Sequence, residues 1–167
     1  CDGDGDFLCD RCGEVLELLQ KGEKQTVKTD LPGEWGEMTF TCIDEDYKGG
    51  QLLLSDKVIP YSISSGFGAD MGYDTSGIRN WLNLQFADGL SVSDHLPVRL
   101  SEGNDSISDR VFCLSLAEVR SEPYKSYTLQ PWMPDTGSWF YWTRTMSSEN
   151  HAYLVQYNGH IAAEQTT

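Results

Sequence analysis

The stretch from residue 73 to residue 86 restricts the possible fold more than any other part of the sequence. Four apolar residues recur there at the spacing i, i+3, i+4 and i+8, namely Ile78, Trp81, Leu82 and Phe86. This spacing places the four side chains on one face of a helix. Asp74, Thr75 or Ser76 can cap this helix, because a short side-chain oxygen accepts hydrogen bonds from free N–H groups of the first turn. The sequence therefore predicts an amphipathic helix that buries Trp81 as its largest apolar side chain.

Runs of β-branched, aromatic and leucine residues on both sides of this helix predict strands. The predicted strands cover residues 35–43, 51–59, 111–114, 138–145, 152–157 and 160–163. Residues 44–50 form a hairpin connection in which the glycine pair at 49–50 supplies positive φ angles. Asn158-Gly159 predicts a second hairpin, because both residues tolerate the left-handed conformation of a type I′ turn.

Short helices and strand pairs together define the expected fold class. Ser115 followed by Glu118 fits the capping-box pattern and predicts a helix from Leu116 to Arg120. Antiparallel strands, few short helices and long loops predict an α+β domain. Residues 21–33 are polar and end in Leu-Pro-Gly, which predicts a linker. We therefore expect a leader and linker at residues 1–33 and one α+β domain at residues 34–167.

The charge of the chain restricts its partners. The formal net charge is −14 at pH 7. An acidic chain repels phosphate backbones, so nucleic acid is not an expected partner. A membrane-spanning helix needs roughly 18 consecutive apolar residues, and no stretch of the sequence meets this requirement, so no membrane span is expected.

The first residues place carboxylates at the spacing of a calcium loop. Asp2, Asp4, Asp6 and Asp10 occupy positions 1, 3, 5 and 9 of such a loop. Calcium takes six to eight oxygen ligands, and this spacing lets a tight turn point several carboxylates inward. The segment departs from an EF-hand and resembles the Asp-rich loops of thrombospondin type 3-like and dockerin-like repeats. The sequence therefore predicts a calcium site at Asp2, Asp4, Asp6 and Asp10.

Cysteines in the same leader suggest a second metal. Cys9 and Cys12 are two residues apart, a spacing at which both thiolates can bind one zinc ion, and Cys1 lies eight residues upstream of Cys9. A closed zinc site needs four ligands, and the leader offers three cysteines. A zinc site through Cys9 and Cys12 is therefore an alternative to calcium, and an acidic leader that binds no metal is another.

Four blocks of the sequence carry motifs in a fixed order. They are residues 52–59, the Arg-x-Trp-Leu-Asn motif at 79–83, the Asp-x-Val-Phe motif within 109–118, and residues 140–145. This order resembles a bacterial domain family of unknown function that occurs in large, modular, secreted or cell-surface proteins. The resemblance covers residues 34–164, and the motifs at 79–83 and 109–112 are its more specific parts.

That family is in turn similar to the C-type-lectin-like fold of formylglycine-generating (sulfatase-modifying) proteins and of diversity-generating-retroelement variable proteins. The resemblance implies an α+β domain with short helices on a twisted, mostly antiparallel sheet and long irregular loops. It also implies an extracellular or cell-surface location and a place in a longer multidomain chain.

No arrangement of residues predicts an enzyme. His95, His151 and His160 lie outside the usual metalloprotease spacings, and neither a Gly-x-Ser-x-Gly motif nor a phosphate-binding glycine loop occurs. Formylglycine generation requires reactive cysteines, whereas Cys42 and Cys113 lie in apolar surroundings that predict buried, unreactive side chains. We expect a non-enzymatic protein, with a relative of formylglycine-generating enzymes as the less favoured alternative.

The aromatic C-terminal third carries the candidate ligand site. Strand alternation places Trp139, Tyr141 and Thr143 on one face of residues 138–145. It places Phe140, Trp142 and Arg144 on the other face. The candidate ligand-binding residues are Trp132, Trp139, Tyr141, Arg144, Asn150, His151 and Tyr153. Flat rings stack on sugars and peptides, so a glycan or protein ligand is expected; alternatively, the rings fill the core of a purely structural module.

Metal titrations of the whole chain distinguish the three interpretations of the leader. With a calcium loop, calorimetry shows calcium binding that the Asp4→Ala variant loses and the Cys9→Ser variant keeps, because Asp4 supplies a ligand oxygen and Cys9 does not. With a zinc site, the Cys9→Ser variant loses zinc binding instead. Absence of heat with either ion contradicts both metal sites.

Overall fold

The computed structural model describes residues 18–68, 72–92, 99–100, 108–129 and 140–166, with residues 99–100 described by their backbone alone. The strands are β1 (Lys24–Lys28), β2 (Glu37–Tyr47), β3 (Gly50–Ser55), β4 (Arg99–Leu100), β5 (Ser108–Asp109), β6 (Phe140–Ser148), β7 (His151–Gln156) and β8 (Ile161–Gln165). The helices are α1 (Gly77–Trp81), α2 (Leu116–Arg120) and α3 (Lys125–Thr128), with 3-10 turns at Gly33–Trp35 and Tyr73–Thr75 and a π-helical turn at Leu82–Phe86.

All strands pair antiparallel with their neighbours. The described sheets have the orders β1-β2-β3, β4-β5 and β6-β7-β8. Two three-stranded antiparallel sheets and a few short helices make this an α+β fold, as the sequence predicts. Among the described residues, no helix is long and apolar enough to cross a membrane.

Three clusters of buried side chains hold these elements together. The first cluster joins the two larger sheets to α2, and its members include Ile43 of β2, Val119 of α2 and Val155 of β7. The second packs the helix around Trp81 against β1 and β2, through Val27 and Met38. The third consists of Phe67, Tyr73 and Ala152, with Trp142 of β6 packed against them.

The predicted helix is confirmed, with one feature that the sequence does not predict. Ser76 caps α1 by accepting a hydrogen bond from the Arg79 N–H at 3.2 Å, and Trp81 is buried against Phe86. Beyond Trp81 the helix continues as a π turn, in which the Ala87 N–H donates to the Leu82 carbonyl at 2.9 Å. In an α-helix the Ala87 N–H would donate to the Asn83 carbonyl. That carbonyl accepts from the Arg110 guanidinium at 2.8 Å instead.

Strand β1 lies within residues 21–33, where the sequence predicts a linker. Its burial alternates only weakly, since Val27 is its one buried residue, and this explains why hydrophobic periodicity does not identify it. Upstream of β1, the side-chain amide of Gln51 on β3 bonds both backbone groups of Leu19, accepting from the N–H and donating to the carbonyl. Residues from Leu19 onward are therefore tied to the first sheet.

Both hairpins form, with turns that differ from the prediction. Strand β2 extends to Tyr47, which pairs with Gly50, so the first turn uses Lys48 and Gly49 at φ 52° and 81° in place of the two glycines. In the β7–β8 hairpin Gly159 has φ 78°, whereas Asn158 is not among the positive-φ residues, so the predicted type I′ turn is wrong. The Gly159 N–H donates to the Gln156 carbonyl at 2.8 Å.

The segment 111–114 is not a strand, so this prediction is wrong. The predicted helix α2 is confirmed, and it begins with the expected capping box. The apolar run Val111–Leu114 resembles a buried strand in sequence. Its backbone groups are paired with side chains and with an irregular part of β6, as the site shows.

Substituting two glycines separates backbone strain from steric overlap. Gly49 and Gly159 have nearly equal φ, and at Gly49 a Cβ would meet no described atom within 4 Å, whereas at Gly159 it would overlap the Leu129 carbonyl. We expect Gly49→Ala to lower the free energy of unfolding by about 1 to 2 kcal/mol. Gly159→Ala is expected to cost a further 1 to 3 kcal/mol or so, because of the overlap. Equal costs in urea denaturation would contradict this close contact.

Candidate functional site

The predicted ligand-binding residues divide into three groups in the structure. Trp132 and Trp139 lie outside the described residues, as do the calcium candidates Asp2, Asp4, Asp6 and Asp10 and the zinc candidates Cys9 and Cys12. Tyr141 and Arg144 on β6 point into the fold. Asn150, His151 and Tyr153 lie in and beside the β6–β7 turn.

Arg144 is buried in an ion pair with Glu118 of α2. Its Nη1 lies 2.7 Å from Glu118 Oε2 and also donates to the Cys113 carbonyl at 2.8 Å. The guanidinium stacks over the Phe112 ring at 5.2 Å, and the side chains of Arg144 and Glu118 are only 2% and 5% exposed. These contacts show that the Arg144 guanidinium stabilises the fold.

Glu118 accepts from three sides at once. Tyr47 Oη donates to Oε1 at 2.6 Å, and the Ser115 N–H donates to Oε2 at 2.7 Å, next to Arg144. Burial acts to raise the pKa of Glu118, but the hydrogen bond and charge of Arg144, together with Tyr47 and Ser115, outweigh it and hold the pKa below its usual value. Glu118 is therefore ionised in the fold at neutral pH.

Arg144 lies in an irregular stretch of β6. Trp142 pairs with Leu154, but the next pair is Met146 with Ala152, so β6 has two more residues than β7 over this interval. Within this interval the Arg144 N–H donates to the Leu114 carbonyl at 3.0 Å and not to β7. Alternation alone does not predict the contacts of residues 143–145, because they lie within this bulge.

The remaining predicted residues have mixed environments. Tyr141 packs on the first core cluster, and its hydroxyl donates to the Thr128 carbonyl at 2.6 Å. Burial raises its pKa. His151 Nδ1 lies 2.8 Å from Asn150 Oδ1, and Tyr153 is half-buried in the middle of β7. Asn150, His151 and Tyr153 are therefore the predicted residues that lie together with part of their surface open to solvent.

A row of rings that the sequence does not single out as a ligand site reaches the surface on the other face of the sheet. Phe140 is 41% exposed and meets Trp142 edge-on with ring centroids 5.3 Å apart. Trp142 in turn meets the fully buried Phe67 at 5.3 Å, and Phe67 lies 6.2 Å from Tyr73. Phe67 and Tyr73 belong to the third core cluster, so the surface ring is supported from beneath. The alternation of β6 was the available signal, since it places Phe140 beside Trp142.

The two most specific sequence motifs bind one another. Arg79 Nε donates to Asp109 Oδ1 at 2.8 Å, and the Asp109 side chain is fully buried. Asn83 Oδ1 accepts from the Arg110 and Val111 N–H groups at 2.8 and 3.3 Å, while Asn83 Nδ2 donates to the Val111 carbonyl at 2.8 Å. These motif residues therefore fix residues 109–111 onto the helix.

Cys42 and Cys113 are free thiols, and Cys42 is fully buried as predicted, whereas Cys113 is only half-buried. Burial raises the pKa of Cys42, and burial raises the pKa of Cys113 to about 12 despite the charge of Arg144. Within the described part of the chain, no three His, Cys, Asp or Glu side chains lie close enough together to hold a metal ion.

Comparisons with protein-family models, with curated proteins and with solved structures gave no match. The family resemblance and the C-type-lectin-like fold therefore stay predictions.

Because of the ion pair at Glu118, the free energy of unfolding depends on pH in the acidic range. The folded-state pKa of Glu118 lies below the unfolded value, so its contribution is complete above about pH 4.3 and is lost as the pH falls through the folded-state pKa. We expect Glu118→Gln to lower the free energy of unfolding by about 3 to 5 kcal/mol at pH 7, since Arg144 stays buried without its charged partner. Below the folded-state pKa the difference from the wild type should shrink.

Urea denaturation across this pH range is the measurement. Glu122→Gln is the matched control, because Glu122 is 82% exposed and, among the described residues, pairs only with Lys125. A pH-independent difference between Glu118→Gln and the wild type would contradict the depressed pKa.

Asn83 and Asn80 give a matched pair on one helix. Asn80 is exposed, whereas the Asn83 side chain bonds the backbone of Arg110 and Val111. We expect Asn83→Ala to cost about 2 kcal/mol, because it leaves these backbone groups without partners. Asn80→Ala should be nearly neutral in thermal unfolding. Similar melting temperatures for the two variants would show that the hydrogen bonds of Asn83 to Arg110 and Val111 do not stabilise the fold.

Proposed function

We propose that this protein is a non-enzymatic, ligand-binding module of a secreted or cell-surface bacterial protein, with a glycan or a protein as ligand. The observation that carries the proposal is the Phe140 ring, which is exposed on the sheet and supported by Trp142 and Phe67. A supported aromatic ring at the surface offers contact area without the entropic cost of ordering a mobile side chain.

Asn150, His151 and Tyr153 form a second candidate surface at the β6–β7 turn, at the opposite end of this strand pair from Phe140. Trp132 and Trp139 stay candidates for ligand binding. Tyr141 and Arg144 contribute indirectly, because their hydrogen bonds to Thr128 and Cys113 position β6.

The non-enzymatic part of the proposal is supported by how the buried charges are used. Arg144 pairs with Glu118, and Arg79 pairs with Asp109, so these four groups stabilise the fold through one another. The raised pKa of Cys113 disfavours the thiolate that cysteine chemistry requires. This weighs against a formylglycine-generating activity.

The finer fold assignment is also a proposal. We infer a C-type-lectin-like domain, because the motif order that suggested it is matched by contacts between the motifs at Arg79–Asp109 and Asn83–Val111. The leader is proposed to hold calcium at Asp2, Asp4, Asp6 and Asp10, with zinc at Cys9 and Cys12 as the alternative.

A purely structural module is the second candidate, and the N-terminal attachment favours it. Leu19 is bound by Gln51, and the Lys21 ammonium donates to the Pro123 carbonyl at 2.9 Å. Residues that tie an upstream segment to the domain would transmit orientation between neighbouring modules.

Array screening of the full chain against glycans and against bacterial and host surface proteins tests the proposal. We expect at least one ligand, with a change in tryptophan fluorescence on binding, since Trp142 lies directly behind Phe140. A chain that binds neither class, and whose fluorescence stays constant, would support the structural module instead.

A further inference from the structure

The patch around Phe140 includes a polar partner on the neighbouring strand. Gln156 is the direct partner of Phe140 in the β6–β7 register, so the two side chains lie on the same face. Gln156 is half-buried, and its side-chain amide makes no hydrogen bond within the described part of the chain. An amide held beside an exposed ring offers one acceptor and two donors to a ligand.

The described residues around Phe140 and Gln156 include no carboxylate and no ammonium group, although the chain is strongly acidic. Trp142 pairs with the buried Leu154, and Leu154 pairs with Ala162 on β8. The polar neighbour is His160, whose carbonyl accepts from the Gln156 N–H at 2.8 Å. The net charge of −14 repels anionic ligands. An uncharged ligand therefore fits this face better than a uronic acid or a phosphorylated one.

The size of the patch also restricts its ligand. A stable protein interface buries about 800 Å² on each partner, which the one exposed ring and one amide that the structure describes on this face do not supply. A single pyranose ring matches these two groups, because its C–H face carries partial positive charge that the face of an aromatic ring attracts, and its hydroxyls pair with an amide.

We propose that Phe140 and Gln156 form a subsite for one uncharged sugar ring, with Phe140 as the stacking platform and Gln156 as the hydrogen-bonding group. This inference rests on the proposed ligand-binding function and specifies its ligand class. Trp142 and Phe67 act as positioning residues, since they hold the Phe140 ring at the surface.

The test is titration of the full chain with neutral oligosaccharides of glucose, mannose, galactose and N-acetylglucosamine, followed by calorimetry at low and high salt. We expect one of them to bind independently of salt. Phe140→Ala should weaken binding about tenfold or more, and Gln156→Ala about three- to tenfold. Phe140→Leu keeps an apolar side chain on Trp142 but removes the flat ring, so it should fold normally and still lose affinity. Tyr61→Ala is the control, because Tyr61 is 75% exposed outside the patch.

The outcomes separate this inference from the broader function. Wild-type affinity in Phe140→Leu, or equal losses in Tyr61→Ala, would overturn the subsite while leaving a glycan-binding module. Failure of every neutral oligosaccharide, with a protein ligand found on the array, would overturn the sugar subsite and leave the ligand-binding proposal intact. If the chain binds no ligand on either array and no oligosaccharide in the titrations, both the sugar subsite and the ligand-binding function are wrong.

Discussion

The fold depends on the carboxylate of Glu118. This one group closes the N-terminus of α2 through the Ser115 N–H, accepts the Tyr47 hydroxyl from the first sheet and pairs with Arg144 from the third. Two buried charges cost several kcal/mol each in lost hydration, and only close pairing with extra hydrogen bonds offsets that cost. Because the three partners come from separate elements, the carboxylate requires both larger sheets and α2 to be in place together.

A related constraint acts on the irregular segment 110–116, which is partly to fully buried although it is not a strand. Buried backbone groups need hydrogen bonds, and here side chains supply most of them. The N–H groups of this segment donate to Asn83, Tyr73, Glu118 and Thr145. Its carbonyls accept from Asn83 and from Arg144. The segment in turn supports β6, and β6 presents Phe140 at the surface, so the buried polar network reaches the candidate ligand face.

The sequence predicted those elements that depend on residues close together in the chain. The Trp81 helix follows from spacing, and the Ser115–Glu118 box follows from capping chemistry. The burial of Arg144 did not follow, because its partner Glu118 lies 26 residues away and Arg144 lies within a bulge of β6. Strand β1 was missed because its stability comes from pairing with β2 rather than from an apolar face. The candidate site was predicted only as a region, because which ring reaches the surface depends on packing beneath it.

Native-state hydrogen exchange tests most directly whether side chains replace a strand ladder in this protein. The informative amides are those of Arg110, Val111, Cys113, Ser115 and Leu116. The account predicts that they exchange as slowly as the amides of β7, although they donate to side chains and not to strand carbonyls, since both sets of amides are freed only when the core opens. Exchange as fast as at the exposed Asn158 would contradict the account, because the network would then not hold the segment in place.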